Sequence, residues 1–285
     1  MPELIIAGGN GIAAGTRFER NFRSAAARAY VRIVGVNREW TLLLFEIFLP
    51  LLSVAAFAFV YKAMGQDALV LRVIIGGAMT AFWINMLWGM ATQFYWEKES
   101  GNLELFFVAP ISRMSILAGM AVGGMFNTSV RAITTIFLGA LVFGVSFTVS
   151  SPLMLIGVFV LTMFALYGMG MMFASLFMLY GREAWHSANL LQEPIFLVSG
   201  FYFPVSYLPL YASFAASIIP MTLGLDAMNQ LLGGPSAVSW GLLPVSVETA
   251  ALALLSVLFI LLAKACLGYM EQVAKKEAKL VLRQQ

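Results

Sequence analysis

The stretch of the chain that is richest in closely spaced charged side chains is "QFYWEKESGNLELFFVAPISR", residues 93–113. It places Glu97, Lys98, Glu99 and Glu104 within eight positions, in a chain where only 11% of residues are charged. Charged groups this dense can form charge-assisted hydrogen bonds with a partner protein. We therefore take residues 93–113 as a candidate contact surface and ask which elements position it.

The composition indicates a membrane protein. Of the 285 residues, 61% are hydrophobic, whereas a soluble domain has roughly 45–50% apolar and about 25% charged residues. Basic residues crowd both ends of the chain, and next to apolar spans this pattern sets membrane orientation and does not indicate nucleic-acid binding. The single cysteine, Cys266, excludes an intrachain disulfide and a cysteine-based metal cluster, and we expect no metal site. We also expect no cleavable signal peptide, because no charged leader precedes a short apolar core.

Six apolar stretches are candidates to cross a hydrocarbon core of about 30 Å, which needs roughly 20 helical residues. They cover residues 40–61, 73–94, 114–145, 152–180, 188–203 and 245–269, and the fifth is too short. With both termini in the cytoplasm, basic residues concentrate on the inner side. We therefore predict an all-α integral membrane protein with three parts: a cytosolic leader with an amphipathic interfacial helix (1–39), a six-span membrane domain (40–270) and a basic cytosolic tail (271–285).

Two segments outside these spans have patterns of their own. Residues 17–40 repeat arginine every three to six positions with apolar residues between, which predicts an amphipathic helix in the inner headgroup layer; a flexible basic tail is the alternative. Residues 203–244 contain five prolines and a Gly-Gly pair. Since Pro204, Pro209 and Pro220 interrupt helices, we predict re-entrant half-helices that dip in from the outer face.

Residues 97–110 are predicted to form a short helix parallel to the inner membrane surface. Gly101 and Asn102 permit a bend, Leu103 begins an apolar block, and Pro110 ends any helix before Arg113 begins the next span. The charged residues of this helix would face the cytosol and would be accessible to a partner.

Polar residues inside the predicted spans are candidates for a substrate pathway. They are Glu46, Asn85, Gln93 and Arg131. An intramembrane charge costs a few kcal/mol, so Glu46 and Arg131 require a partner or water. Pairing between helices and contact with substrate are equally open interpretations. Gly119 and Gly123 predict a close approach of two helices.

Two motifs resemble the permease subunits of type-2 ATP-binding cassette transporters, an exporter family. The first is the family's Glu–(Arg/Lys)–Glu–x–Gly–(Thr/Asn)–Leu–Glu run with its Pro-x-Ser-(Arg/Pro) segment, which matches at Glu97, Lys98, Glu99, Gly101, Asn102, Leu103, Glu104, Pro110, Ser112 and Arg113. The second is a late proline-rich pattern, which matches at Pro194, Ser199, Gly200, Phe203, Pro204, Leu208, Pro209, Pro220, Met221 and Thr222. Asn102 stands where threonine is common in the family.

The resemblance implies a function as well as a fold. It implies two permease chains, more often identical than different, with a pair of cytosolic ATPase subunits, in the cell (plasma or inner) membrane and in contact with its lipid. The loop of residues 97–113 would contain the coupling helix that contacts the ATPase. ATP and Mg²⁺ would be bound by that partner, since the dipeptide Gly-Lys of the phosphate-binding loop never occurs in this chain, and we expect neither enzyme activity nor a cofactor here.

The expected function is ATP-driven export of an amphipathic drug, a lipid or a lipid-linked molecule. Export of a polysaccharide on a lipid carrier is an alternative within the family. An ion-coupled secondary transporter is a second class, which predicts inverted repeats with two broken helices. An intramembrane enzyme is disfavoured because the chain has one histidine and one cysteine.

Overall fold

A computed structural model describes residues 16–38, 40–101, 109, 111–177, 182–233 and 240–276. In these ranges the chain forms α-helices joined by short turns. They are α1 (Arg17–Asn37), α2 (Trp40–Ala63), α3 (Asp67–Met86), α4 (Gln93–Glu99), α5 (Arg113–Phe143), α6 (Pro152–Phe177), α7 (Arg182–Val198), α8 (Leu210–Ala216), α9 (Pro220–Leu232) and α10 (Val245–Lys276). The predicted all-helical membrane fold is confirmed.

Within the described ranges, five stretches are long and apolar enough to cross a membrane: Leu44–Ala63, Asp67–Glu97, Arg113–Phe143, Pro152–Phe177 and Val245–Met270. They correspond to the first four and the last of the predicted spans. The fifth prediction had the wrong bounds, because α7 runs over Arg182–Val198 and has only 17 residues. At 1.5 Å per residue it is about 26 Å long, slightly short of a hydrocarbon core.

The second span occupies the centre of the helical bundle. In the most apolar stretch of this span, 83% of the residues are buried by the rest of the protein, whereas in the first span the share is 11%. It begins at Asp67 and not at residue 73 as predicted, so Arg72 is a buried helix residue and not part of an outer loop. It continues through a π-helical turn, Leu87–Ala91, into α4. Gly101 then adopts φ 74°, a left-handed conformation that suits glycine, and this confirms the predicted bend.

The predicted amphipathic helix is α1. A capping box formed by Thr16 and Glu19 begins it. One face packs along α5, where a Cβ atom on Gly119 would lie 2.3 Å from the carbonyl oxygen of Ala25. The Gly119–Gly123 prediction of close helix approach is thereby confirmed. The remaining apolar residues of α1 stay exposed: Phe18, Phe22, Tyr30, Val31 and Val34.

The proline-rich segment after α7 is broken as predicted. Helices α8 and α9 meet at an angle of 102°. Pro209 precedes the first turn of α8, Pro220 is the first residue of α9, and Pro204 precedes a single 3-10 turn, Val205–Tyr207. At these positions proline costs no helical hydrogen bond.

The two ends of the bundle are distinct. At one end, the 144–151 turn contacts the end of α9, because Thr148 N donates to Leu232 O at 3.1 Å. At the other end, Ser112 N donates to Asn21 Oδ1 at 2.9 Å, which places the beginning of α5 beside α1. At each end, two described segments that were predicted to lie on the same side of the membrane are therefore in contact.

Candidate functional site

An ion pair joins α1 to the charged stretch: Arg28 binds Glu97. Only 8% of the Glu97 side chain is exposed, and Gln93 Nε2 donates to the same carboxylate at 2.9 Å. The prediction that the charged residues here face the cytosol is therefore wrong for Glu97. A buried carboxylate requires a cation and hydrogen bonds, and α1 provides the cation.

Of the other predicted coupling residues, some are exposed and some lie outside the described ranges. Glu99 and Gly101 are exposed at the end of α4, and Lys98 lies in the same helix. Asn102, Leu103, Glu104 and Pro110, the other predicted coupling residues, lie outside the described residues.

Arg113 is the first residue of α5. It lines a cavity of about 390 Å³ together with Arg17 and Lys264, beside the Ser112–Asn21 hydrogen bond. This cavity has a basic lining at the end of the bundle where Glu99 lies. A contact surface here therefore combines an exposed carboxylate with a basic cavity.

The predicted intramembrane charges form a pair. Glu46 of α2 binds Arg131 of α5, so the interhelical pairing left open by the sequence is what the structure contains. Asn85 Oδ1 accepts a hydrogen bond of 3.0 Å from the hydroxyl of Tyr167. These residues lie on one side of the central helix, whereas Gln93 belongs to the Glu97 cluster.

A second buried polar cluster, at the opposite end of the bundle, was missed by sequence reasoning. Arg72 Nη2 lies 2.5 Å from Asp226 Oδ1, with both side chains buried. Gln230 Nε2 donates to Asp226 at 3.1 Å and to Glu248 at 3.3 Å. The cluster links α3, α9 and α10. The only signal for it in the sequence was an acidic residue in an apolar, proline-rich segment. Thr222, which belongs to the proline-rich pattern identified in the sequence, is fully buried in α9.

The arrangement defines a class of protein: a multi-pass helical membrane protein whose central helix continues into a charged segment at one end of the bundle. A family model, that of the ABC-2 type transporter, matches residues 24–232, and the chain belongs to this family. It is thus a permease subunit of an ABC-2 transporter, in a family that normally pairs with an ATPase subunit. A search of curated proteins found no match.

Proposed function

We propose that the chain is the membrane half of an ATP-driven exporter, working as two permease chains with two cytosolic ATPase subunits. ATP and Mg²⁺ are bound by the ATPase, and this chain contributes no catalytic group. The substrate is an amphipathic drug, a lipid or a lipid-linked molecule, with lipid-linked glycan as the alternative cargo. Both termini lie in the cytoplasm, and α8 and α9 re-enter from the outer face.

The observation that carries this proposal is the continuity of the second span with α4. From Asp67 to Glu97 the backbone is helical apart from one bend, and most of its apolar stretch is buried against other helices. A force applied at α4 therefore acts directly on the centre of the bundle. The Arg28–Glu97 ion pair transmits the same force to α1. Coupling through packed elements of this kind is what an ATPase-driven permease requires.

The ion-coupled alternative receives less support. Inverted repeats predict two broken helices in corresponding halves of the chain. Among the described residues one bent helix pair is present, α8 with α9. Glu46 and Arg131, the charged residues within the predicted spans that an ion-driven mechanism could use, form an ion pair with each other.

The test measures association with the ATPase and uses Glu99, whose side chain is exposed. A charge-assisted contact contributes about 1.5–3 kcal/mol, so Glu99→Lys should weaken ATPase binding about 10- to 150-fold. The tagged permease is purified from its native membranes, and the bound ATPase and its vanadate-sensitive ATP hydrolysis are quantified. Asp67→Lys is the matched control, because it makes the same charge change on an exposed residue at the other end of the bundle.

Glu97 requires a different substitution because it faces Arg28 within the chain. Glu97→Arg alone should disrupt both folding and coupling. The swapped variant Arg28→Glu/Glu97→Arg restores the internal pair and should recover stability. Wild-type association and ATP hydrolysis in Glu99→Lys, with a correctly folded permease, would contradict the proposed contact surface.

A further inference from the structure

A cavity of about 400 Å³ lies between α1, α2, α5 and the π-helical turn of the central helix. Three charged side chains line it: Arg32, Glu46 and Arg131. Two amides, Asn85 and Asn127, join them. The volume falls in the range of sites for small organic ligands, roughly 300–1,000 Å³.

Arg32 is the unusual member of this set. Its guanidinium forms no ion pair with any residue that the structure describes. Burial lowers the pKa of this guanidinium, which nevertheless remains protonated as arginine side chains do in proteins. A partly buried cation without an ion-pair partner is unfavourable, so an anion in the cavity would stabilise it.

Glycines in the neighbouring helices leave space for the Arg32 side chain. A Cβ atom on Gly89, in the π-helical turn, would lie 2.2 Å from Arg32 Nη2. A Cβ atom on Gly124 would lie 2.5 Å from Asn85 Oδ1. The π-helical turn and α5 thus approach Arg32 and Asn85 with bare backbone. π-Helical turns of this kind occur frequently at functional sites.

Arg131 leaves part of its hydrogen-bonding capacity unused. One of its terminal nitrogens binds Glu46, while its buried Nε has no partner. The Glu46 side chain is 37% exposed, so it can turn away. With all three groups ionised, the cavity carries a net charge of about +1, since two guanidinium groups face one carboxylate. It therefore selects an anion.

The rest of the lining is apolar. Leu49, Pro50, Ile84 and Trp88 contribute it. Leu49 is 59% exposed, and Val130, beside Arg131 on α5, is 52% exposed. An anionic group inside the cavity would therefore have apolar side chains beside it, as a headgroup with attached acyl chains requires.

We propose that this cavity binds the anionic, phosphate-bearing headgroup of a membrane amphiphile. Arg32 and Arg131 hold the phosphate oxygens, the two amides lie beside them, and the apolar lining contacts the beginning of the hydrocarbon chains. Guanidinium groups suit this task because they bind phosphate through two parallel hydrogen bonds. The inference rests on the membrane placement in the proposed function, but its test is binding, so failure here and failure of ATPase coupling are seen in separate assays.

The experiment is native mass spectrometry of the purified chain in a neutral detergent, titrated with phosphatidylglycerol, phosphatidylcholine or inorganic phosphate. Wild-type protein should bind one phosphatidylglycerol per chain, more tightly than phosphatidylcholine. Arg32→Gln should weaken this binding about tenfold or more, as loss of a charge-assisted contact does. Arg23→Gln removes the same charge from an exposed position of α1 and should change binding less than about twofold.

A third variant separates binding from folding. Arg32→Lys keeps the charge and should retain the preference for phosphatidylglycerol with weaker binding, even if Arg32→Gln fails to fold. Equal binding of the two lipids, or equal loss in Arg32→Gln and Arg23→Gln, would overturn the proposal. Inorganic phosphate that competes as well as phosphatidylglycerol would also overturn it, since the site would then bind soluble phosphate.

Discussion

Replacing Arg72 by methionine should be among the most damaging single changes to the end of the bundle that contains the Arg72–Asp226 pair. Arg72 is 3% exposed and pairs with Asp226, while Glu248 lies in the same cluster. Without the guanidinium, two buried carboxyl groups remain together with no cation. Methionine fills similar volume, so the loss is one of charge and not of packing.

The size of the expected loss of stability follows from the burial of the Arg72–Asp226 ion pair. Breaking a buried ion pair by removing one partner costs about 3–5 kcal/mol. At about 2–4 °C per kcal/mol for chains of roughly this size, the midpoint of thermal unfolding should fall by about 6–20 °C. The measurement is the temperature at which half of the detergent-solubilised protein remains monodisperse.

A control variant and a double variant test whether the loss of stability comes from the unpaired buried charge. Lys62→Met removes a cation from an exposed position near the same end, together with its 3.1 Å hydrogen bond to Phe143 O, and should cost about 0.5–1.5 kcal/mol, well below the loss expected at Arg72. Adding Asp226→Asn to Arg72→Met removes the buried charge that lost its partner, so the double variant should be more stable than Arg72→Met alone. A double variant whose loss equals the sum of the single losses would refute the reasoning.

Two further predictions concern helix packing and topology. Gly119→Ala puts a methyl group against the α1 backbone and should destabilise the protein by about 1–3 kcal/mol, whereas Gly157→Ala, with no atom within 4 Å, should be neutral or stabilising; thermal unfolding of both measures this. In a chain with Cys266 replaced, a cysteine at Ser150 should react with a membrane-impermeant reagent in intact cells and one at Asn102 should not; the reverse pattern would overturn the proposed orientation.

Local features of the fold were predictable because they depend on neighbouring residues. Gly101 adopts the left-handed conformation of a turn after α4, and Pro220 is the first residue of α9. Glycine permits that conformation because it has no side chain, and proline suits the first helical position because its missing N–H would have no partner there. The family motifs in 97–113 were equally local, and the family that they indicated is the one whose model matches residues 24–232.

The pairing of charges was not predictable. Arg28 and Glu97 are separated by 69 positions, and Arg72 and Asp226 by 154. Nothing in the local sequence of either residue specifies its partner, because the contact exists only after the helices pack. The π-helical turn at Leu87–Ala91 was missed for a similar reason: its sequence continues an ordinary apolar pattern. The predicted spans left residue 72 in a connection between helices, whereas Arg72 lies inside α3, where Asp226 compensates its buried charge.

The contacts of α1 constrain the order in which the protein assembles. Arg28 of this helix pairs with a residue that is synthesised 69 positions later, and the α5 glycines against which the helix packs are synthesised later still. At roughly 5–20 residues per second, α1 waits about 3–14 s for Glu97. During that interval the apolar face and the arginines of α1 can contact the membrane surface. Lipid headgroups would then act as a temporary partner for the first helix, and docking of α1 would mark the completion of the amino-terminal half of the permease.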